Sequence, residues 1–200
     1  MLFFTVNTVL ANNGFKMGDK VYVWSLHGIP LKQKPDVRSK SILIIPYGKQ
    51  LQLQDITTAK QEVLFSNDVE SLYELEGEWV RVAYNGKAGF VFDGFLSVMP
   101  PLKLNKKGLV EDIEKYLYRN FGKPEVSTKK TITTSAYKNG NKLEIDKSDC
   151  IEEKLYLKGI SYPEAMLFEK IYYTGADAAQ NIKIKKKWGH TIVISSYSCD

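Results

Sequence analysis

The sequence predicts two small domains of different class. An all-β small barrel over residues 20–99 is followed by an α+β domain over 107–200, in which two helices lie on one face of a mostly antiparallel sheet. Three observations lead there. Short runs of alternating aromatic, β-branched and polar residues, broken by tight-turn signals, fill the first half without a helical stretch. The second half interleaves helix-periodic and strand-like segments. Finally, residues 1–100 hold ten Lys and Arg against ten Asp and Glu, whereas 101–200 hold eighteen against thirteen, so the whole net charge of +5 lies beyond the midpoint. A chain of 200 residues suits two such units. With 44% hydrophobic and 26% charged residues, neither a disordered nor a collagen-like chain is compatible.

The chain begins Met1-Leu2-Phe3-Phe4-Thr5-Val6-Asn7-Thr8-Val9-Leu10-Ala11. This apolar run ending in Val9-x-Ala11 reads as the remnant of a secretory signal, so residues 1–19 are assigned to that remnant and an N-terminal arm. The expected location is therefore exported, periplasmic or extracellular; without a signal it would be cytoplasmic. No run reaches the roughly 18 apolar residues that a membrane-spanning helix needs.

Val21-Tyr22-Val23-Trp24, Ser41-Ile42-Leu43-Ile44-Ile45 and Gln50-Leu51-Gln52-Leu53-Gln54 read as strands, the second stopped by Pro46-Tyr47-Gly48-Lys49. Trp79–Tyr84 and Lys87–Phe92 flank Asn85-Gly86, whose two positive-φ residues favour a type I′ hairpin turn. Ile56–Leu75, which carries Glu62, Asp68, Glu70 and Glu74, is expected to be a solvated loop.

The order Leu31-Lys32-Gln33-Lys34-Pro35, an apolar strand, a Pro-x-Gly-Lys turn, Gly77-Glu78-Trp79-Val80-Arg81-Val82, and Lys87-Ala88-Gly89-Phe90-Val91 ending in Phe95-Leu96-Ser97 resembles a bacterial SH3 (SH3b) domain over residues 20–99. The resemblance implies a barrel that binds peptides or peptidoglycan stem segments without chemistry of its own. Its candidate ligand contacts are Tyr22, Trp24, His27, Tyr47, Trp79 and Tyr84. Trp79 and Phe90 are expected in or near the core, and Tyr47 and Tyr84 on the surface.

Residues 100–106 form a linker opened by Pro100-Pro101, which denies both helix and sheet. Leu109, Val110, Ile113, Tyr116, Leu117 and Phe121 recur at helical spacing, and Gly122 and Pro124 end that helix. Thr131–Lys138 and Lys142–Asp146 flank Asn139-Gly140 as a second hairpin, and Lys154–Lys158 is a third strand. Ser161-Tyr162-Pro163-Glu164 is a capping box opening a second helix through Tyr172. Ile182–Lys187 and Thr191–Ser195 are strands around Trp188-Gly189-His190. This half resembles no family.

The two cysteines, Cys150 and Cys199, are candidates for a disulfide closing a loop of about 50 residues, a constraint on the order of 4 kcal/mol in the chain-entropy model. Cys150 followed downstream by His190 also permits an alternative, an NlpC/P60-like cell-wall cysteine peptidase, degenerate or active. Against it, Ile151-Glu152-Glu153 follows the cysteine, and two carboxylates disfavour a thiolate. The scattered His and Cys have no metal-ligand spacing, and no phosphate loop or cofactor motif is present. Lys183, Lys185 and Lys187 alternate with Ile182 and Ile184, which describes the solvated face of a strand and not a nucleic-acid site; an anionic envelope polymer or an acidic protein surface is the alternative for this row. The expected protein is a non-enzymatic, exported binder of peptide, peptidoglycan or an envelope protein, with no cofactor. A periplasmic inhibitor or immunity-type protein is a further alternative.

Overall fold

The computed structural model describes residues 14–66, 72–173 and 180–199, with backbone alone for 58–66, 72–76, 180 and 181. The apolar run through Ala11 lies outside the described residues, as do Asp68 and Glu70 and the side chains of Glu62 and Glu74. The chain divides into two compact units, Met1–Val98 and Met99–Asp200. Both are built mainly of antiparallel sheet, and the two helices belong to the second.

In the first unit the strands are β1 (Lys20–Val23), β2 (Ile29–Lys32), β3 (Ser41–Ile45), β4 (Gln50–Ser66), β5 (Leu72–Tyr84), β6 (Lys87–Phe92) and β7 (Leu96–Ser97). Side chains two positions apart on a strand share a face. Val21 and Val23, Ile29 and Leu31, Leu51 and Leu53, and Val80 and Val82 are accordingly all buried in one cluster. Each contributes roughly 1.5–3 kcal/mol when fully buried. The Asn85-Gly86 turn has φ values of 50° and 72°, as a type I′ turn requires.

Two expectations are corrected here. The sheet order is β3-β2-β6-β5-β4-β1-β7, and its end strands are not paired with each other, so no closed barrel forms. Closure would need β7 to reach β3, but β7 has only two residues and pairs with β1. Nor is Ile56–Leu75 a loop. β4 continues to Ser66 and pairs with β5 from Leu72 onward, so most of the segment forms a long two-stranded ribbon whose backbone groups satisfy each other.

Gly77 shows how closely this unit is assembled. A Cβ there would overlap Asp93 Oδ1 and lie 2.7 Å from a Phe92 ring carbon. Asp93 itself is buried and accepts the Glu78 N–H at 2.8 Å.

The second unit contains α1 (Ile113–Phe121), β8 (Glu125–Lys129), β9 (Ile132–Ala136), β10 (Lys142–Lys147), β11 (Ile151–Lys158), α2 (Tyr162–Tyr173), β12 (Gln180–Lys187) and β13 (Thr191–Ser198). Its six strands follow the order β12-β13-β11-β10-β9-β8. Leu143, Leu155, Leu157, Ile192 and Ile194 are buried, as are Tyr116 and Leu117 of α1 and Phe168 and Ile171 of α2. The Tyr116 and Phe168 rings meet edge to face, joining the two helices. The capping box of α2 forms as expected: Glu164 accepts the Ser161 N–H at 2.7 Å, and Ser161 Oγ accepts the Glu164 N–H at 3.3 Å.

Helix α1 starts later than its apolar periodicity predicts. Asp112 caps it by accepting the Glu114 and Lys115 N–H groups. Leu109 instead follows a turn in which Asn105 Oδ1 accepts the Lys107 and Leu109 N–H groups, and Val110 pairs with Leu104 in an isolated antiparallel bridge. Strand β8 was not expected. It is exposed at all five residues, so it carries no alternating pattern to read.

Gly77→Ala is expected to destabilise the first unit by about 1–3 kcal/mol through overpacking alone. Gly86→Ala, which meets open space, incurs only the left-handed backbone cost of about 1–2 kcal/mol. Urea midpoints measure both, and adding Phe92→Leu should recover part of the first loss and none of the second.

Candidate functional site

The six candidate contacts of the first unit do not make one surface. Trp24 and Trp79 are 1% and 3% exposed, so neither indole offers a face to a ligand. Trp79 packs edge to face on Phe92, whereas Tyr84, five positions along β5, packs against the main core. An odd separation on a strand puts the two on opposite faces. Tyr22 is half-buried, and its hydroxyl accepts the Gln50 amide N–H at 2.7 Å.

His27 is exposed and Tyr47 half-buried, and their turns lie side by side. The Gly48 N–H donates to Val23 O at 2.9 Å, and a Cβ on Gly28 would lie 2.6 Å from Ile45 O. Tyr47 and His27 are therefore the two candidates that the fold brings to one end of the unit.

Cys150 and Cys199 form a disulfide with Cα atoms 4.5 Å apart. Ile151 pairs with Ser198, so the bridge is the next rung of the β11–β13 ladder. At the other end of that ladder Lys158 pairs with Thr191, the neighbour of His190. Over the eight residues of β11 this separates Cys150 from His190 by roughly 25 Å. The fold thus keeps the two apart, and a bridged sulfur is not a nucleophile. Among the described residues no three metal-capable side chains cluster.

A concave site among the described residues lies in the second unit. Ladder partners share a sheet face. Lys142, Tyr156, Val193 and Lys185 therefore form one row across β10, β11, β13 and β12. Lys158, Thr191 and Lys187 form the next row, and Glu144, Lys154, Ser195 and Lys183 the row on the other side. The buried leucines and isoleucines of these strands occupy the opposite face.

Among these rows is a cleft of about 340 Å³, lined by Tyr137, Asn141, Lys142, Tyr156, Lys187 and Trp188 and their neighbours. Trp188, in the β12–β13 turn, is 100% exposed. Gly189 and His190 supply the positive φ angles of 73° and 55° that reverse the chain there.

The Tyr156 ring is the cleft's fixed point. Lys142 Nζ lies 4.0 Å from its centroid and Lys187 Nζ 5.2 Å. Its hydroxyl donates to Glu144 Oε2 at 2.6 Å, while Lys142 Nζ reaches Glu144 Oε1 at 2.7 Å. Burial and the Glu144 carboxylate push the tyrosine up to about 12, so it remains a donor at all physiological pH values. Burial alone would raise Glu144. The hydrogen bonds of Lys142 and Tyr156, with the charges of Lys142 and Lys154, outweigh it and hold the carboxyl below its usual range.

Glu153 is in the opposite situation. It lies on the face of β11 opposite Tyr156, and its Oε1 accepts the Tyr173 hydroxyl at 2.8 Å. Burial raises its pKa, the Tyr173 hydrogen bond opposes this, and the carboxylates of Asp112 and Glu114 reinforce it.

Sequence reasoning did not find the cleft. Tyr156 and Lys142 lie in ordinary amphipathic strands, and their meeting depends on register. The one readable signal is Trp188: a large apolar ring in a tight turn between polar flanks has no core to enter. No protein-family model, curated protein or solved structure matches the chain.

Raising the pKa of an acid in the folded state means that the native protein holds a proton which the unfolded chain has released. Stability is thus lost as pH rises from about 4.5 through the folded value, and the deficit persists at neutrality. Glu153→Gln, which can still accept the Tyr173 hydrogen bond, is expected to raise the melting temperature of the second unit at pH 7. The expected gain is a few degrees, the scale that about 1 kcal/mol produces in a domain of this size. At pH 3.5 the gain should vanish. Calorimetry at the two pH values tests this, and an equal shift at both would contradict it.

Proposed function

We propose that this protein is a non-catalytic, exported binding protein of the bacterial cell envelope, in which an SH3b-like β module recognises peptide, peptidoglycan or an envelope protein and is joined to a basic α+β domain closed by a disulfide. The observation that carries the reading is the Cys150–Cys199 bridge. The chain's two cysteines are consumed by one structural bond that continues a strand ladder, and such bonds persist in oxidising compartments. A bridged Cys150 far from His190 gives the cysteine-peptidase alternative no support.

Support for the SH3b-like part comes from its motif residues. Gly77 makes room for Phe92 and Asp93, Trp79 packs on Phe92, and the Asn85-Gly86 turn joins the two strands that carry them. The recognition surface in this reading is the end bearing His27 and Tyr47, since Trp24 and Trp79 are interior. An imidazole and a phenol carried on neighbouring turns supply polar orientation and a flat contact.

The full chain, incubated with purified peptidoglycan sacculi and separately with an envelope membrane extract, is expected to be retained by one of them. His27→Ala/Tyr47→Ala should reduce retention about tenfold, as loss of an interface anchor does. Absence of retention by both, or equal retention of the variant, would overturn the reading. A second expectation concerns the bridge: reduction, or Cys150→Ser/Cys199→Ser, should lower the stability of the second unit by up to about 4 kcal/mol, measured by denaturant unfolding with and without reductant.

A further inference from the structure

The outward face of the β12–β13–β11–β10 sheet combines two features that the envelope-binding reading does not use. One is the Tyr156–Trp188 cleft. The other is a set of lysines with no carboxylate to neutralise them. Lys142 and Lys154 on this face are paired with Glu144 and Glu152. Lys158, Lys183, Lys185 and Lys187 are exposed and form no ion pair among the described residues. Lys183, Lys185 and Lys187 recur at every second residue, a spacing of about 6.6–6.8 Å that equals the repeat of same-face side chains along any extended peptide. Lys186, between them, points to the other face, where its Nζ lies over the Tyr162 ring of α2.

Solubility alone would account for lysines on a terminal strand. It does not account for a fully exposed tryptophan at the end of that strand, beside a concave site floored by a second aromatic ring. Tryptophan and tyrosine are over-represented among interface anchors, and uncompensated charge of one sign beside them favours a partner of the opposite sign.

We infer that this face docks an extended, acidic segment of a partner protein, with one apolar side chain of the segment seated between Trp188 and Tyr156 and its alternate carboxylates facing Lys183, Lys185 and Lys187. A cleft of about 340 Å³ has room for one large side chain. The lysine row runs about 13 Å along β12 from Lys187 at the cleft to Lys183, so Lys185 and Lys183 extend beyond the cleft lining and suit a chain bearing several charges and not a single small anion. The inference rests on the second unit alone. Envelope retention through His27 and Tyr47 is read in a separate assay, so either idea fails without the other.

The test uses the full chain and a fluorescein-labelled ten-residue peptide with Glu at alternate positions and one Phe, followed by anisotropy. Saturable binding that weakens with salt is expected. Replacing the peptide's Glu by Gln, or its Phe by Ala, should each cost roughly tenfold in affinity. Lys183→Gln/Lys185→Gln/Lys187→Gln and, separately, Trp188→Ala should lose similar factors. Lys106→Gln/Lys107→Gln/Lys115→Gln, at exposed sites away from the face, should bind as the parent does. Because Trp24 and Trp79 are buried and Trp188 is open, acrylamide quenching reports on Trp188, and the peptide should protect it. The inference is overturned by absence of saturable binding or by equal loss in the control triple variant. It is equally overturned if a ten-residue oligothymidylate or tetragalacturonate binds as tightly as the peptide, since the face would then be a general anion surface. Should the triple variant lose its native circular dichroism, Lys185→Glu alone carries the same expectation.

Discussion

The register of β11 against β13 is the constraint on which the second unit depends. A slip of β11 by one residue would turn Leu155 and Leu157 toward water and Lys154, Tyr156 and Lys158 toward the core, out of phase with Ile192 and Ile194 of β13. The Cys150–Cys199 bridge closes one end of this ladder, one rung beyond Ile151 and Ser198. At the other end Gly159 donates its N–H to His190 O at 3.0 Å, beyond the last pair, Lys158 and Thr191. A covalent tie at one end and a backbone tie at the other hold the alternation in phase, so one face collects apolar side chains and the other collects charge.

That segregation sets the electrostatics on each side of the same strand. On the outer face Glu144 has two donors, Lys142 and Tyr156, and its ionised form is favoured. On the inner face Glu153, in the same strand as Tyr156, has one neutral donor and two carboxylates nearby, and its ionised form is disfavoured. The difference is burial and company, not residue type. The outer arrangement prepares a donor-rich, aromatic surface, whereas the inner one costs stability at neutral pH.

Local signals were legible wherever a few adjacent residues set the chemistry. Asn85-Gly86 marked its turn because few other residue pairs accept two positive φ angles, and Ser161-x-x-Glu164 marked a helix start because its hydrogen bonds are internal to four residues. Where two signals competed, the reading slipped. Leu109 and Val110 fit the helical stripe, yet Asn105 and Asp112 directed their backbone into a turn and a cap. Strand β8 has no buried face and so no pattern, and the β4–β5 ribbon draws its order from cross-strand backbone pairing that composition does not display.

By itself, then, the amino-acid sequence determined the change of character near Pro100, the β-rich nature of the first unit, the second hairpin and helix of the second, and the pair of cysteines available for a bridge. Each follows from periodicity, turn chemistry or counting, which act over a few residues. Only the tertiary structure decided that the first sheet stays open, that Trp24 is interior, that Cys150 meets Cys199 and lies far from His190, and that Lys142, Tyr156, Lys187 and Trp188 share one cleft. Those outcomes depend on which strands become neighbours and in what register, and pairing between segments tens of residues apart is selected by the packing of the whole sheet, not by any one strand.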